Sequence, residues 1–371
     1  MSREKITPLI MPKWGLSMKE GKLSDWLIEE GADISVGDEI MEVETDKIAN
    51  VVEAADPGLL RRCVAVAGEV YPVRALLGVL APQEVSDADI DAFIEAYETP
   101  RVEDEDDADE APQYAFAETS AGRLRYAVRG DEGPAVLLIH GFGGDLDNWL
   151  FNMDALAEKA KVYALDLPGH GQSTKRIADP GLSGLANAVR AFMDTVGVKS
   201  AHLVGHSLGG AVAATVASDA PDRVLSLSLV CAAGLGPEIN SAYIDGFVTA
   251  VSRRDLKPVL QLLFADAKLV SRAMVEDLLK YKRLDGVREA LTQLSSDLFA
   301  DGRQSTILSG KISELGVRTL VIWGAEDRVI PASHARNLDA ADVEIIEHAG
   351  HMVQMEQAAK VNDRICGHIF N

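Results

Sequence analysis

Gly205-His206-Ser207-Leu208-Gly209 has the form G-x-S-x-G. Chance alone can produce that pattern, so its neighbours decide what it means. The apolar run Ala201–Val204 comes before it, and the spacing from Leu208 to Ser218 is helical, which puts the serine on a strand-to-helix turn. A serine hydroxyl needs such a turn to project as a nucleophile, and only glycines leave room for the crowded backbone on either side. Leu208 then offers its N–H at a helix N-terminus, where a developing oxyanion is stabilised. Two partners follow in the order serine, acid, histidine: Asp327 after the strand-like Thr319–Trp323, and His351 after Val343–Ile346. Glu326 competes with Asp327 as the acid, and His348 with His351 as the base. Upstream, His140-Gly141-Phe142-Gly143-Gly144 follows the run Val136–Ile139 and offers the Phe142 N–H as a second oxyanion donor. Losing one such donor costs about 3 kcal/mol of transition-state stabilisation.

A fourth residue of chemical interest is Lys47. It lies in Glu44-Thr45-Asp46-Lys47-Ile48-Ala49, where Thr45-Asp46-Lys47 breaks two strand-like runs and so marks a hairpin tip. Around it, residues 1–81 read as short strands: Leu9–Met11, Gly21–Ile28, Glu39–Glu44, Lys47–Glu53, Gly58–Val66 and Leu76–Leu80. Gly31, Val36, Ile40 and Val43 recur 37 positions later as Gly68, Val73, Leu77 and Leu80. Two copies of one strand–turn–strand unit predict a small barrel or sandwich with approximate two-fold symmetry.

The remaining elements place these residues in larger frames. Residues 82–113 hold thirteen Asp and Glu against Arg101 and read as a linker, because such a block stays solvated and self-repelling. Such a segment of 32 residues spans roughly 30 Å, or more when charge extends it. Inside it, Ser86 can cap a helix whose Ile90, Phe93, Ile94 and Tyr97 share one face, over residues 86–98. That helix either folds back on a neighbouring domain or docks another protein. Residues 114–371 alternate apolar strands with helical patterns, as a mostly parallel α/β sheet does. The interval Leu235–Leu315 lacks strand character and reads as a helical cap over the active site.

Composition narrows the partners. A formal net charge of −22 disfavours nucleic acid and anionic membranes, both of which repel it. Met1 to Lys5 is polar, with no signal-peptide core, and no apolar run reaches the ~20 residues needed to cross a bilayer, so the cytoplasm is the expected location. Cys63, Cys231 and Cys366 have no metal or redox spacing and read as small buried hydrophobes. A metal held by His348 and His351 has no carboxylate or cysteine cluster behind it, so none is expected. His140, His170 and His206 flank the motifs and read as structural.

With these residues in place, 114–371 resembles an α/β-hydrolase domain, and residues 1–81 resemble a lipoyl domain, an all-β barrel-sandwich that presents its lysine at a hairpin tip. The related biotinyl domains carry Met-Lys-Met there, so Asp46 and Ile48 favour lipoate on Lys47. The combination resembles the dihydrolipoyllysine-residue acetyltransferase (E2) components of acetoin dehydrogenase complexes. That resemblance implies acetyl transfer from lipoyl-Lys47 to coenzyme A through Ser207, His351 and Asp327, with Phe142 and Leu208 as oxyanion donors. It also implies a thiamine-diphosphate E1, a flavin-dependent dihydrolipoyl dehydrogenase E3 and a homo-oligomer. Fold and triad alone favour a hydrolase, an esterase or thioesterase tethered to a lipoyl domain, and only the lipoyl fusion tips the reading toward transfer. Two departures from ordinary E2 chains stand out. Tyr281 and Asp297 occupy the histidine position of His-x-x-x-Asp-Gly before Asp285-Gly286 and Asp301-Gly302, and there is no peripheral-subunit-binding domain. Core assembly by the usual trimeric catalytic domain is therefore not implied.

Overall fold

In a computed structural model, residues 5–12, 18–45, 49–100, 113–338 and 341–370 are described. The chain divides into two compact units.

The first unit stacks two four-stranded antiparallel sheets. One runs β1 (Thr7–Ile10), β8 (Leu76–Leu80), β6 (Gly58–Cys63), β3 (Asp33–Ile34); the other runs β5 (Ala49–Glu53), β4 (Glu39–Glu44), β2 (Glu20–Trp26), β7 (Val70–Pro72). The 37-residue repeat is visible in the hydrogen bonding. Gly31 N donates to Leu60 O at 2.7 Å, while Gly68 N donates to Leu23 O at 2.6 Å. Leu60 N donates to Ala32 O as Leu23 N donates to Glu69 O. Gly31 and Gly68 share φ of +92°, a left-handed turn that glycine adopts without strain. Leu23, Ile40, Val43, Leu60 and Leu77 fill the space between the sheets. The strand patterning in the sequence omits β3 and β7, which at two and three residues are too short to show a period of two.

Glu44 pairs with Ala49 across β4 and β5. Lys47, between them in the chain, lies outside the described residues. Helix α1 (Asp87–Glu95) starts at Ser86, whose hydroxyl accepts from Asp89 N. It packs back on its own unit, with Ile90 buried among Ile6, Leu76 and Val79 and the Tyr97 hydroxyl bonded to Arg74 O at 2.8 Å. This unit thus extends past residue 81 into the acidic segment.

The second unit is an eight-stranded sheet in the order β16-β15-β14-β13-β11-β12-β10-β9. Its parallel strands are β11 (Ala135–Ile139), β12 (Lys161–Leu165), β13 (Ala201–His206), β14 (Val224–Val230), β15 (Thr319–Gly324) and β16 (Asp342–Ile346). An antiparallel hairpin, β9 (Gln113–Thr119) and β10 (Gly122–Arg129), closes one edge. The sequence reading missed it, although Leu124 and Ala127 turn inward while Arg123 and Arg125 lie over the rings of Phe116 and Tyr114. Helices α2 (Met153–Ala157), α3 (Leu182–Thr195), α4 (Leu208–Asp219), α10 (Val353–Glu356) and α11 (Ala358–Phe370) accompany the sheet. In α3, Leu185, Val189, Phe192 and Met193 form the buried stripe. Between β14 and β15 the described residues form helices and no strand: α5 (Ser241–Thr249), α6 (Arg253–Leu260), α7 (Arg272–Lys282), α8 (Val287–Leu298) and α9 (Ser309–Glu314). No helix among the described residues is long and apolar enough to cross a membrane.

Strand order reverses between β11 and β13, because the chain leaves β11 for β12 on one side and returns to β13 on the other. Open α/β sheets bind ligands at the carboxyl ends of strands beside such a reversal. The loops following β11 and β13 are His140–Gly144 and the turn at Ser207.

Candidate active site

Ser207 sits between the last residue of β13 and the first of α4 with φ 52° and ψ −120°. A non-glycine residue in that region stores on the order of 1–3 kcal/mol of strain, held only because the surroundings leave no alternative. The surroundings are glycines in close contact. A Cβ on Gly205 would lie 2.3 Å from Gly209 O, and one on Gly209 would lie 2.2 Å from Ile139 O. Ser207 N donates to Val230 O and Ala233 N donates to Ser207 O, both at 2.9 Å, which fixes the turn to the end of β14. The serine is 6% exposed. Leu208, the first residue of α4, has one of the N–H groups that a helix leaves without an internal partner.

His351 and Asp327 come together at the ends of β16 and β15. His351 Nδ1 lies 2.8 Å from Asp327 Oδ2, and both side chains are almost wholly buried. Asp327 Oδ1 accepts from Val329 N at 2.8 Å and from Ile330 N at 2.9 Å, so the carboxylate is oriented from both oxygens. The competing pair is elsewhere. His348 is 90% exposed at its side chain, and its nearest acid is Glu326 at 3.9 Å. The fold therefore joins Asp327 with His351 and leaves Glu326 with His348 in solvent.

Three further histidines support these loops. His140 Nε2 accepts from Leu167 N at 3.0 Å, so its Nδ1 carries the proton and donates to Gly141 O at 2.7 Å. Burial holds His140 down at about 4, keeping it neutral and fixed in that tautomer. His206 lies against His351, ring centroids 4.8 Å apart, with its Nε2 2.9 Å from His351 O. Burial pushes His206 and His170 well below the ordinary histidine range. The loop Asp166–Ser173 is tied by its own aspartate: Asp166 Oδ1 accepts from Leu146 N and Oδ2 from Gln172 N, each at 2.8 Å.

Phe142 projects into an aromatic cluster made with the helical stretch between β14 and β15. Its ring lies 6.0 Å from Phe247 on α5 and 5.8 Å from Phe299, both edge-on. Gly143 has φ +74°, and a Cβ there would meet the Phe247 ring at 2.3 Å, so only glycine fits. Tyr243 donates to Phe142 O at 3.4 Å, which helps fix the peptide that precedes Gly143.

Sequence reasoning passed over two supporting residues. Cys231, the residue after β14, places its sulfur, the Asp327 carboxylate and a His351 ring nitrogen within 4.8 Å of one another. Burial, then the Asp327 charge, raises the Cys231 thiol far above its usual value. It stays protonated beside the acid and is poorly suited to metal ligation, which needs a thiolate. Glu356 on α10 accepts from Gly350 N and from Ala265 N, both at 2.7 Å, binding the His351 loop to the stretch after α6. No sequence spacing links these residues; only the fold brings them together.

Burial pushes Glu356 up to about 7. Its folded-state value exceeds the unfolded one, so the stability it contributes is fully present below ~4.5 and is lost as pH rises through about 7. Glu356→Gln removes this loss. Across pH 5–8 the variant should gain on wild type by on the order of 2 kcal/mol in calorimetric unfolding. Parallel pH profiles would refute it.

Residues 134–358 match the α/β hydrolase fold family, and residues 7–79 match the biotin-requiring enzyme family. The chain is 57% identical over 365 residues to the dihydrolipoyllysine-residue acetyltransferase component of the acetoin cleaving system of Cupriavidus necator, covering 98% of this chain and 97% of the relative. It is 48% identical over 363 residues to the component of the same name from Pseudomonas putida, covering 97% of each. Among solved structures, a meta-cleavage product hydrolase from Pseudomonas fluorescens superposes with a TM-score of 0.63 at 24% identity, covering 68% of this chain and 96% of that one. This last likeness concerns the fold alone.

Proposed function

The chain belongs to the dihydrolipoyllysine-residue acetyltransferases of acetoin-cleaving systems, and from that premise we propose that Ser207, His351 and Asp327 carry out the transfer, with Lys47 as the site of lipoylation. It is an acetyltransferase of the E2 kind, with covalently bound lipoate, coenzyme A as acceptor, and E1 and E3 enzymes as partners. The β4–β5 pairing, with Glu44 opposite Ala49, fits a lipoyl hairpin around Lys47. When bound, lipoate supplies the acetyl group as a thioester.

The chain's own residues do the rest. His351, held by Asp327 in the tautomer with Nδ1 protonated, takes the proton from Ser207 Oγ at its Nε2. Ser207 Oγ attacks the thioester carbonyl, and the N–H groups of Phe142 and Leu208 receive the oxyanion. His351 returns the proton to the departing thiol. The acetyl-Ser207 ester is then attacked by the coenzyme A thiol, whose proton His351 accepts and passes back to Ser207. The observation that carries this reading is the buried 2.8 Å pair of His351 and Asp327 at the sheet end that also holds the strained Ser207.

On the same proposal, E1 is thiamine-diphosphate dependent, E3 is flavin dependent, and the chain works as a homo-oligomer, with neither nucleic acid nor membrane as partner. The division into a lipoyl domain, an acidic tether and a catalytic domain belongs to this reading too; because α1 packs on the first unit, the tether starts after that helix and not at residue 82. Tethering raises the effective concentration of the arm to the mM range. The cytoplasm is the proposed compartment, in keeping with three free cysteines.

Product analysis with S-acetyldihydrolipoamide, with and without coenzyme A, tests the reading. Acetyl-CoA should form well ahead of acetate. Acetate forming at one rate regardless of coenzyme A would make the second unit a hydrolase instead.

A further inference from the structure

We propose that the basic cavity formed by α5, α7 and α8 binds the phosphate-bearing nucleotide end of coenzyme A. The proposal rests on coenzyme A being the acceptor and deepens that reading by giving it a site.

The charge distribution of the chain points to this region first. Residues 251–290 hold nine of its 36 Lys and Arg against six Asp and Glu, a local balance of +3 in a chain of net −22. A cavity of about 430 Å³ opens here, lined by Val251, Lys282, Arg283, Leu284 and Arg288, with Asp285 and Glu289 on the same wall. That volume falls within the ordinary range for small-molecule sites.

The cations are arranged for an anion from outside. Among the described residues, neither Arg283 nor Arg288 forms an ion pair. Lys282 Nζ donates to Phe247 O and, at 2.7 Å, to Ala250 O, which are neutral carbonyls. Burial, and after it the like charge of Arg288, lowers Lys282 to about 8. A phosphate placed among these groups would relieve that repulsion with charge-assisted hydrogen bonds. Val251 and Leu284 are more than half exposed and give the same cavity an apolar surface for a base. Asp285 and Glu289 can accept from amino and hydroxyl groups, which a nucleotide has and a bare phosphate lacks.

The position also suits the chemistry. Lys282 Nζ lies 5.1 Å from the Phe247 ring centroid, and that ring packs on Gly143 and against Phe142. One residue of that helical stretch thus separates the cationic wall from the loop beside Ser207. A nucleotide held in the cavity leaves its long thiol-bearing arm to extend toward that loop.

The test is calorimetric titration of the full-length protein with coenzyme A and with its 3′-dephospho form, for wild type and for Arg283→Gln/Arg288→Gln. Both arginines are exposed, so the double variant should fold normally, which its unfolding temperature checks. Wild type should bind coenzyme A about tenfold or more tightly than the dephospho form. In the double variant coenzyme A should weaken by a similar factor and the two ligands should bind alike. A variant that binds coenzyme A as tightly as wild type overturns the site while leaving the transferase reading intact. A wild type that binds no coenzyme A and forms no acetyl-CoA overturns the acceptor, and this site with it.

Discussion

Ser207→Ala should lower acetyl-CoA formation from S-acetyldihydrolipoamide by about 10⁴-fold or more, since removing the nucleophile of such a triad leaves only binding and oxyanion stabilisation. The fold should hardly notice. Alanine keeps the Cβ, so the strain at φ 52° stays, and the hydroxyl is lost from a position on a turn that backbone hydrogen bonds already fix. Ser207→Gly sharpens the test. It should abolish activity equally yet unfold at a temperature no lower than Ser207→Ala, because relief of 1–3 kcal/mol of strain outweighs the roughly 0.4–1 kcal/mol by which glycine favours the unfolded chain. Activity and stability then move in opposite directions, as expected where strain serves function. The measurements are acetyl-CoA release under saturating substrates and calorimetric unfolding. A Ser207→Ala enzyme within tenfold of wild type would mean that the coenzyme A thiol attacks the thioester directly and that no acetyl-Ser207 forms.

The parts of this arrangement that were legible in the sequence are those whose physics is local. The turn at Ser207 is fixed by Gly205 and Gly209, whose missing Cβ atoms would otherwise strike backbone at 2.3 and 2.2 Å. The repeat of Gly31 at Gly68 reports a backbone conformation that each copy needs on its own account. Helix α1 was readable because Ser86 caps it and because Ile90 and Ile94 lie on one face. What the sequence left open depends on contacts between distant segments. Asp327 and Glu326 are adjacent and chemically equivalent, and so nearly are His351 and His348. Their fates diverge only because one side chain of each pair turns inward behind β15 and β16 and the other outward.

The same distinction explains the residues that were passed over. Cys231 reads as a small hydrophobe, and its burial agrees, but its position beside Asp327 depends on how β14 and β15 pair. Glu356 reads as one more acid in an acidic chain until α10 brings it under Gly350 and Ala265. The cationic cavity is more dispersed still, drawn from the end of α5, the end of α7 and the start of α8. Alternating hydrophobicity places single elements well, but it says little about which loop ends converge.

Asp327→Asn is the second large effect, and its size follows from a tautomer. Asparagine can keep its carbonyl on Val329 N and Ile330 N, where Asp327 Oδ1 now accepts two hydrogen bonds, so the side chain should hold its place. Its amide group then faces His351 Nδ1, where a carboxylate oxygen sits at 2.8 Å. An N–H there can only donate, so Nδ1 must accept and the ring proton moves to Nε2. The nitrogen nearest the serine can then no longer take its proton, and turnover should drop by about 10⁴-fold with little change in unfolding temperature. Glu326→Gln serves as the contrast: its carboxylate faces the exposed His348 at 3.9 Å, and its loss should leave turnover within about twofold of wild type. Proton NMR gives an independent readout, because the low-field signal of an Nδ1–H bonded to carboxylate should be present in wild type and in Glu326→Gln and absent in Asp327→Asn. If Asp327→Asn turned over at a near-normal rate while Glu326→Gln failed, the acid would be Glu326, and the buried pair would hold the His351 loop in place without taking part in the chemistry.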